Sequence, residues 1–327
     1  MLDNALVIVL AGGAGERLFP LTRDRAKPAV YFGGPYRIID FVLSNCVNSG
    51  FRRIFIVTQY KSLSLNRHIR QAWNIVSEAL GEFIEILPPQ KRVSDNWYLG
   101  TADAVYQNLY SIRREHPSHV IVLAGDHVYK MDYGLMLAEH VDRGAVLSIA
   151  CISVPRASAS AFGVMRVDAD GRVLEFTEKP SDPAPLPDDP SRALVSMGIY
   201  AFDAEALYAC LRKDAHREDS SHDFGRDVIP RTLAEGERVY AHRFADSCVN
   251  MVDGQPYWRD VGTVDAYWEA NMDLTRMRPD LNMYDPEWPI RTLEEHLPPA
   301  KFVFDSPDSR GQTCEALISS GCIVSGA

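Results

Sequence analysis

Two short apolar runs, each followed at once by glycine, constrain the fold of this chain more than any other sequence feature. Val7–Ala11 leads into Gly12-Gly13, and Val120–Ala124 leads into Gly125-Asp126. Uninterrupted aliphatic runs of this length predict strands that are buried on both faces, as in a parallel sheet. Because the carboxyl ends of such strands meet at one edge, where ligands bind, we expect both glycine turns to reach one site.

Helical and strand-like segments alternate along the first half of the chain, which predicts an α/β fold with a Rossmann-like, mostly parallel sheet. From about residue 160 the pattern changes, and residues 162–167 and 173–177 predict a hairpin around the Asp170-Gly171 turn. The predicted helices cover residues 41–49, 62–73, 100–114, 203–213 and 264–276, and the other predicted strands cover residues 54–57, 146–152 and 196–202.

The C-terminal segment differs in composition from the rest of the chain. Residues 279–310 are rich in proline and charge, which favours a linker or a strap. Residues 311–327 alternate aliphatic residues with Gly and Ser at short period, a pattern typical of the start of a hexapeptide β-helix. We therefore expect a first domain over residues 1–278, a linker over 279–310, and over 311–327 an incomplete β-helix that ends before one coil closes.

Composition argues against several classes of protein. The net charge of −10 is unlike that of a nucleic-acid-binding protein, which usually presents a basic face. No window approaches the roughly 18 consecutive apolar residues of a membrane span, and the acidic start is unlike a signal peptide. The six cysteines form no CxxC pair, so neither a zinc motif nor a redox motif is indicated. A reduced, cytoplasmic protein without nucleic-acid or membrane partners is the simplest interpretation.

The first glycine turn, Gly12-Gly13-Ala14-Gly15, is followed by two cationic residues, Arg17 and Lys27. Glycines after a strand let backbone amides approach phosphate oxygens, and cationic side chains then bind the same anion. An ordinary tight turn is the alternative. The dinucleotide fingerprint GxGxxG is not present, because Leu18 stands where its third glycine would be, and no Walker motif GxxxxGK[ST] occurs.

Three further positions carry candidate chemistry, each with an ordinary alternative. Asp126, at the end of a buried strand, is suited to holding Mg²⁺, although a residue of this kind taken alone is more often a helix N-cap. Lys179, just after a strand, is either a phosphate ligand or a solvated surface charge. Asp260 could complete a metal site, and the aromatic residues beside it are more often packing residues.

Together these elements resemble the bacterial glucose-1-phosphate adenylyltransferases (ADP-glucose pyrophosphorylases), along essentially the whole chain. Sugar nucleotidyltransferases in general share the segments LAGGAGERLFPLT, GD and EKP. Segments that resemble the ADP-glucose branch in particular are AKPAVYFGG, NWYLGTADAV, YWRDVGTVDAYW and PPAKFV. Further similar segments are RIIDFVLSNCVNSG, VLAGDHVYKMDY, FGVM, SMGIYAF and SSHDFGRDVIP.

This resemblance implies an enzyme that makes ADP-glucose and pyrophosphate from ATP and glucose 1-phosphate, the first committed step of bacterial glycogen synthesis. A phosphate oxygen of glucose 1-phosphate would attack the α-phosphorus of ATP in line, a reaction that needs alignment and charge neutralisation. The resemblance implies that the triphosphate lies on Gly12, Gly13 and Gly15 and that Arg17 and Lys27 bind the departing pyrophosphate. It places Mg²⁺ on Asp126 and Asp260. On the sugar side, it implies that Lys179 binds the sugar phosphate and that the sugar contacts Tyr98, Gly163, Glu178 and Ser196. Gln59 and Trp97 would lie beside the nucleotide and relay effector signals.

The resemblance also implies regulation and assembly. Family members bind anionic sugar-phosphate or nucleotide effectors, and Arg25, Tyr31 and Arg37 are the candidates here. Two residues depart from the family pattern: Glu16 replaces a usual Thr or Ser, and Asp24 replaces one basic residue of a pair before Ala-Lys-Pro. The complete relatives continue into a left-handed β-helix and form homotetramers, so we expect this shorter chain to be a fragment.

Three other functions stay open from sequence alone. A sister enzyme that uses UTP or dTTP would keep the shared segments. A non-catalytic regulatory subunit would keep the fold but would be expected to lack a metal carboxylate or a phosphate lysine, and all of these are present. A Rossmann dehydrogenase would need the third glycine.

Overall fold

The computed structural model describes residues 2–13, 15–89, 97–303 and 309–326. Ala14 of the predicted phosphate loop, Asn96 of the NWYLGTADAV segment, residues 304–308 of the predicted linker and Ala327 of the tail lie outside the described residues.

Strands and helices alternate through most of the described chain. The strands are β1 (Ala5–Ala11), β2 (Tyr31–Phe32), β3 (Tyr36–Arg37), β4 (Arg53–Thr58), β5 (Phe83–Leu87), β6 (His119–Ala124), β7 (His127–Tyr129), β8 (Leu147–Pro155), β9 (Gly163–Val167), β10 (Val173–Glu178), β11 (Arg192–Asp203), β12 (Val239–Arg243), β13 (Trp258–Asp260), β14 (Lys301–Phe302) and β15 (Ile323–Val324). The helices are α1 (Ile38–Asn48), α2 (Leu63–Ala72), α3 (Thr101–Tyr106), α4 (Leu109–Arg114), α5 (Tyr133–Asp142), α6 (Arg156–Ala159), α7 (Ala204–Ala215), α8 (Ile229–Ala234) and α9 (Val264–Asp273).

A nine-stranded sheet organises the molecule, with the strand order β10-β9-β11-β6-β1-β4-β5 and with β8 and β12 continuing from β11. Strand β1 pairs in parallel with β4 and β6, and β4 pairs in parallel with β5. Strand β11 runs antiparallel to β6 and β8. The predicted α/β class with a central, mostly parallel sheet is confirmed.

The apolar run of β1 is explained by burial on both faces. Leu6 and Ile8 pack into the hydrophobic core on one side of the sheet, while Val7 and Val9 pack into the core on the other side. All four side chains are inaccessible to solvent. The parallel strands therefore end together at one edge, with their polar loops beyond the cores.

The predicted helix over residues 100–114 is wrong as a single element, because it divides into α3 and α4 at Gln107-Asn108. The side-chain amide of Asn108 donates to the Ala104 carbonyl at 2.8 Å and to the Tyr98 hydroxyl at 3.0 Å. The Asn108 backbone amide donates instead to Val105. The Asn108 side chain thus occupies the Ala104 carbonyl, which would accept from the Asn108 backbone amide in a continuous helix.

Residues 285–292, which we call the strap, lie along the outer face of α1. Apolar residues of α1 pack toward the sheet and toward neighbouring elements, whereas its polar side chains hydrogen-bond to the strap. Four bonds form this seam: Trp288 Nε1 to Asn45 Oδ1 (2.9 Å), Asn48 Nδ2 to the Pro289 carbonyl (3.0 Å), the Arg291 amide to Ser44 Oγ (2.8 Å), and Thr292 Oγ1 to Asp40 Oδ2 (2.7 Å). The predicted strap is thus fastened by polar contacts.

Strands β14 and β15 pair in parallel, with Lys301 opposite Ile323. The first of these two strands begins inside the predicted linker over residues 279–310. The Gly321 amide also donates to the Pro298 carbonyl at 2.7 Å. None of the helices in the described residues combines the length and apolar character needed to cross a bilayer.

Candidate functional site

A cavity of about 770 Å³ opens at the carboxyl edge of the parallel strands. It receives the loops that follow β1, β4 and β6, together with the end of β10 and a bend in β11. Its lining includes Gly12, Gly13, Gly15, Glu16, Arg17, Lys27, Gln59, Tyr60, Tyr98, Thr101, Asp126, Glu178, Lys179, Gly198, Tyr200, Asp223, Phe224, Gly225 and Gly262. Both apolar runs of the sequence thus deliver their glycine turns to one place.

The glycine loop after β1 is held in a shape that excludes larger residues. Gly15 has φ +65°, and a β-carbon there would lie 2.9 Å from Thr22 Cγ2. The Thr22 hydroxyl donates to the Gly15 carbonyl at 2.8 Å, and Lys61 Nζ donates to the Thr22 carbonyl at 2.9 Å. The loop is therefore fixed from behind, while Gly12 and Gly13 face the cavity.

Lys27 joins two carboxylates that are far apart in sequence. Its Nζ lies 3.0 Å from Asp126 Oδ2 and 2.8 Å from Asp260 Oδ1, and its side chain is 7% exposed. Burial lowers the pKa of Lys27, but the two carboxylates raise it above its ordinary value. Burial likewise opposes ionisation of Asp126, yet the charge of Lys27 holds the pKa of that carboxyl well below its usual range. Lys27 and Asp126 are therefore ionised together near neutral pH.

Asp126, His127 and Asp260 form a group of potential cation ligands. Their ligand atoms all lie within 4.8 Å of one another. His127 Nε2 is 3.6 Å from Asp126 Oδ1 and 4.0 Å from Asp260 Oδ1. Carboxylate oxygens are the ligands that hard divalent cations prefer, and the bound ammonium of Lys27 shows that this position favours positive charge. The residues present therefore fit a divalent metal ion.

Arg17 and Asp260 both lie beside Gly262, a residue of the cavity lining. A β-carbon on Gly262 would lie 2.8 Å from Asp260 Oδ1 and 3.1 Å from Arg17 Nη2. The absence of a side chain at Gly262 therefore leaves room for the carboxylate and the guanidinium at the same wall.

A second charged pair, Glu178 and Lys179, lies at the end of β10. Lys179 has φ +49°, which is uncommon for a residue with a side chain, and its amide donates to the Phe162 carbonyl at 3.0 Å. Its Nζ lies 3.2 Å from Glu178 Oε1. The backbone thus turns sharply at the cavity, and strained backbone of this kind is common at functional sites.

The loop after β4 and the segment before α3 form another wall. Gln59 Nε2 donates to the Tyr98 carbonyl at 3.5 Å, and the ring of Trp97 stacks on Tyr60 at 5.3 Å. Trp97 is 55% exposed and, unlike Gln59, Tyr60 and Tyr98, does not line the cavity. It reaches the site through Tyr60.

Most residues predicted from sequence come together here, and a few do not. Ser196 and Gly163 lie behind the cavity wall: Ser196 Oγ accepts a hydrogen bond from the Gly198 amide at 3.2 Å, and Gly163 packs on Glu178. The candidate effector residues form a separate cluster, in which the guanidinium groups of Arg25 and Arg37 lie 5.5 Å and 4.5 Å from the Tyr31 ring centroid.

Several lining residues were not predicted from sequence. The Thr101 hydroxyl donates to Asp223 Oδ2 at 2.9 Å and accepts from the Phe224 amide at 3.0 Å, which joins two loops across the cavity wall. In the sequence, Asp223, Phe224 and Gly225 follow a pair of serines. This composition is typical of a loop, but it does not indicate that the loop lines a binding site. Gly198, with φ +70°, lies at a register shift in β11 that bends the strand at the cavity.

Comparisons with known proteins agree over nearly the whole chain. The family model described as nucleotidyl transferase matches residues 6–277, and the model described as GlmU-like, C-terminal hexapeptide matches residues 298–327. A protein of Nitrosomonas europaea named glucose-1-phosphate adenylyltransferase is 61% identical over 99% of this chain and 75% of its own length. Proteins with the same name from Nitrosospira multiformis and Methylobacillus flagellatus are each 59% identical over 99% of this chain and 76% of their own lengths.

Proposed function

This chain belongs to the nucleotidyl transferase family, and from that premise we propose how its cavity carries out the glucose-1-phosphate adenylyltransferase reaction. The substrates are ATP and glucose 1-phosphate, and the products are ADP-glucose and pyrophosphate. A phosphate oxygen of the sugar attacks the α-phosphorus of ATP, and the bond from that phosphorus to the oxygen of the β-phosphate breaks. Two anions must therefore be held close together and in line.

The observation that supports this proposal is that one cavity is lined by cationic and glycine residues at two separate places, each suited to holding a phosphate. The glycine loop with Arg17 and Lys27 forms one set, and Lys179 belongs to the other. Two phosphate-bearing substrates need two such sets, whereas an enzyme that binds a single nucleotide needs one.

On the nucleotide side, the backbone amides of Gly12, Gly13 and Gly15 hold the triphosphate. Arg17 and Lys27 bind the departing pyrophosphate and stabilise its growing negative charge. Thr22 and Lys61 do not contact the nucleotide in this scheme, because they fix the loop from behind.

The enzyme uses a divalent metal ion, and Asp126 and Asp260 are the residues that would hold it. We propose Mg²⁺, because the donor set is rich in carboxylate oxygen. When bound, the cation supplies charge neutralisation for the reacting phosphates.

On the sugar side, Lys179 binds the phosphate of glucose 1-phosphate and Glu178 accepts hydrogen bonds from sugar hydroxyls. Tyr98 lines the pocket, while Gly163 and Ser196 shape it from behind. Gln59 lies close to Gly12, since a β-carbon on that glycine would be 3.1 Å from Gln59 Cβ, and Trp97 stacks on the cavity residue Tyr60. These contacts support a role in relaying effector signals.

We also propose an effector site and an oligomeric state. The cluster of Arg25, Tyr31 and Arg37 is cationic and partly exposed, which suits an anionic effector such as a sugar phosphate or a nucleotide. A homotetramer is the expected assembly of the longer relatives. All six cysteines are free thiols, which fits a reducing cytoplasm.

Pyrophosphate release tests the proposal directly. The chain is incubated with glucose 1-phosphate, Mg²⁺ and one of ATP, UTP, dTTP or CTP. Release with ATP alone is the expected result. Release with a different nucleotide would assign the enzyme to a sister branch, and no release from a folded protein would indicate a regulatory subunit.

A further inference from the structure

The ammonium group of Lys27 lies in the place where a cation held by Asp126 and Asp260 would be expected. It donates to one oxygen of each carboxylate, at 3.0 Å and 2.8 Å. The side chain is buried, whereas Asp126 and Asp260 remain 35% and 21% exposed. Both carboxylates thus keep some access to solvent while Lys27 neutralises them.

In the protein without nucleotide, the contacts of Lys27 neutralise the charge of the two carboxylates. Two carboxylates whose oxygens lie within 4.8 Å of each other repel, and burying them unpaired is costly. Lys27 removes this cost as an internal counter-ion. The same contacts oppose metal binding, because a divalent ion and an ammonium group cannot both lie between the two carboxylates without strong repulsion.

We infer that Lys27 is the resident counter-ion of the cation site and must leave the carboxylates before a divalent ion binds there. Free divalent metal therefore binds weakly to the enzyme alone. A triphosphate on the glycine loop offers Lys27 a second anion, and the displaced ammonium then contacts phosphate. The inference rests on the proposed function for the identity of the site, and it adds that Lys27 couples metal binding to nucleotide binding.

Binding of Mn²⁺ without nucleotide tests this inference. The full chain and its Lys27→Met variant are titrated with Mn²⁺, and free Mn²⁺ is followed by electron paramagnetic resonance. Met keeps the length of the lysine stem but removes the charge. We expect the dissociation constant for Mn²⁺ to fall by at least about tenfold in the variant, because the competing cation is gone.

Three further variants make the result specific. Lys27→Arg keeps a cation and should bind Mn²⁺ as weakly as the unaltered chain. Lys179→Met removes an equal charge from the same cavity but not from the carboxylates, so it should also leave the affinity low. The gain should disappear in the double variant Lys27→Met/Asp126→Asn, since a ligand is then lost.

Equal affinity of the unaltered chain and folded Lys27→Met for Mn²⁺ would overturn the inference, as would an equal gain in Lys179→Met. If Lys27→Met does not fold, Lys27→Gln gives the same test, because it keeps a hydrogen-bond donor without the charge. Mn²⁺ binding is measured without turnover and pyrophosphate release with it, so this inference and the proposed reaction can fail separately.

Discussion

The Glu178 carboxylate lies so close to Gly225 that a β-carbon on the glycine would be 2.5 Å from Oε2. On its other side, a β-carbon on Gly163 would be 2.8 Å from the same oxygen. The carboxylate is therefore confined between two residues that have no side chain. The backbone of these two glycines therefore limits where Oε2 can lie, while Oε1 is paired with Lys179.

We expect Gly225→Ala to displace Glu178 and weaken binding of glucose 1-phosphate. Its KM should rise about tenfold or more, because hydrogen bonds to the sugar are lost, while the KM for ATP changes little. Initial-rate kinetics with each substrate varied in turn measure both values. An unchanged KM for glucose 1-phosphate in a folded variant would remove Glu178 from the sugar pocket.

Lys179→Ala should also act on the sugar phosphate. Loss of a charge-assisted contact predicts a KM for glucose 1-phosphate that is roughly 100-fold higher, with the KM for ATP little changed. Lys213→Ala is the matched control, since Lys213 is an exposed lysine paired with Glu235 and does not line the cavity. A large loss of ATP affinity in Lys179→Ala would show that this lysine serves the nucleotide.

Asp126→Ala should lower kcat by about 1,000-fold and leave the fold intact, because it removes a proposed metal ligand and one partner of Lys27. Pyrophosphate release measures turnover, and thermal unfolding checks the fold. Asp219→Ala, at an exposed carboxylate paired with Arg217, controls for loss of charge. Near-normal turnover in folded Asp126→Ala would contradict the assigned role.

His140 should make the protein less stable in mild acid. It is 1% exposed, its Nδ1 lies 2.9 Å from Ser148 Oγ, and its Nε2 has no partner in the described residues. Burial lowers its pKa to about 4, so the unfolded chain takes up the proton first as pH falls. Stability is thus present above the unfolded pKa of about 6.5 and is lost toward pH 4, by about 2 kcal/mol at pH 5.

Urea unfolding at pH 8 and pH 5 measures this effect. His140→Asn removes the titrating group, so its loss of stability between the two pH values should be smaller than that of the unaltered chain by about the same 2 kcal/mol. An identical loss in both proteins would assign the acid sensitivity to other groups.

Replacing one carboxylate oxygen of the buried Asp40 should destabilise the protein. Its Oδ1 lies 2.6 Å from His68 Nε2 and accepts from Trp73 Nε1 at 2.9 Å, while Oδ2 accepts from the Arg37 amide and the Thr292 hydroxyl. Asp40→Asn turns one acceptor into a donor that faces other donors, so the free energy of unfolding should fall by roughly 2–4 kcal/mol.

Thr292→Val is the milder partner of this test, because it removes a single hydrogen bond to Asp40. We expect a loss of about 1 kcal/mol from urea midpoints, with an unchanged denaturant slope. If Asp40→Asn were no more damaging than Thr292→Val, the carboxylate would not be the centre of this network.

The parts of the fold that were predictable have a local cause in the sequence. Val7–Ala11 and Val120–Ala124 are uninterrupted because both faces of β1 and β6 are covered, and short runs of this kind are typical of the central strands of a parallel sheet. The break at Asn108 was not predictable in this way. It depends on a hydrogen bond to Tyr98, whereas the helical spacing on either side continues unbroken.

The site was predictable as a set of residues more than as an arrangement. The glycine turns and the charged residues at strand ends indicate phosphate and metal chemistry by their type and position. Lys27, however, meets Asp126 and Asp260 across 99 and 233 residues, and no local pattern reports such a contact. The contact between Glu178 and Gly225 likewise joins residues that are distant in the sequence, so no local pattern predicts it.

The polar seam between α1 and the strap determines when the N-terminal part of the chain can finish folding during synthesis. Ser44 and Asn45 are fully buried, yet their strap partners are made more than 240 residues later. Until residue 291 has left the ribosome, Ser44 Oγ lacks its donor from Arg291 and Asn45 Oδ1 lacks its donor from Trp288, so α1 cannot complete its packing. The first helix of the chain therefore reaches its final environment among the last of the elements.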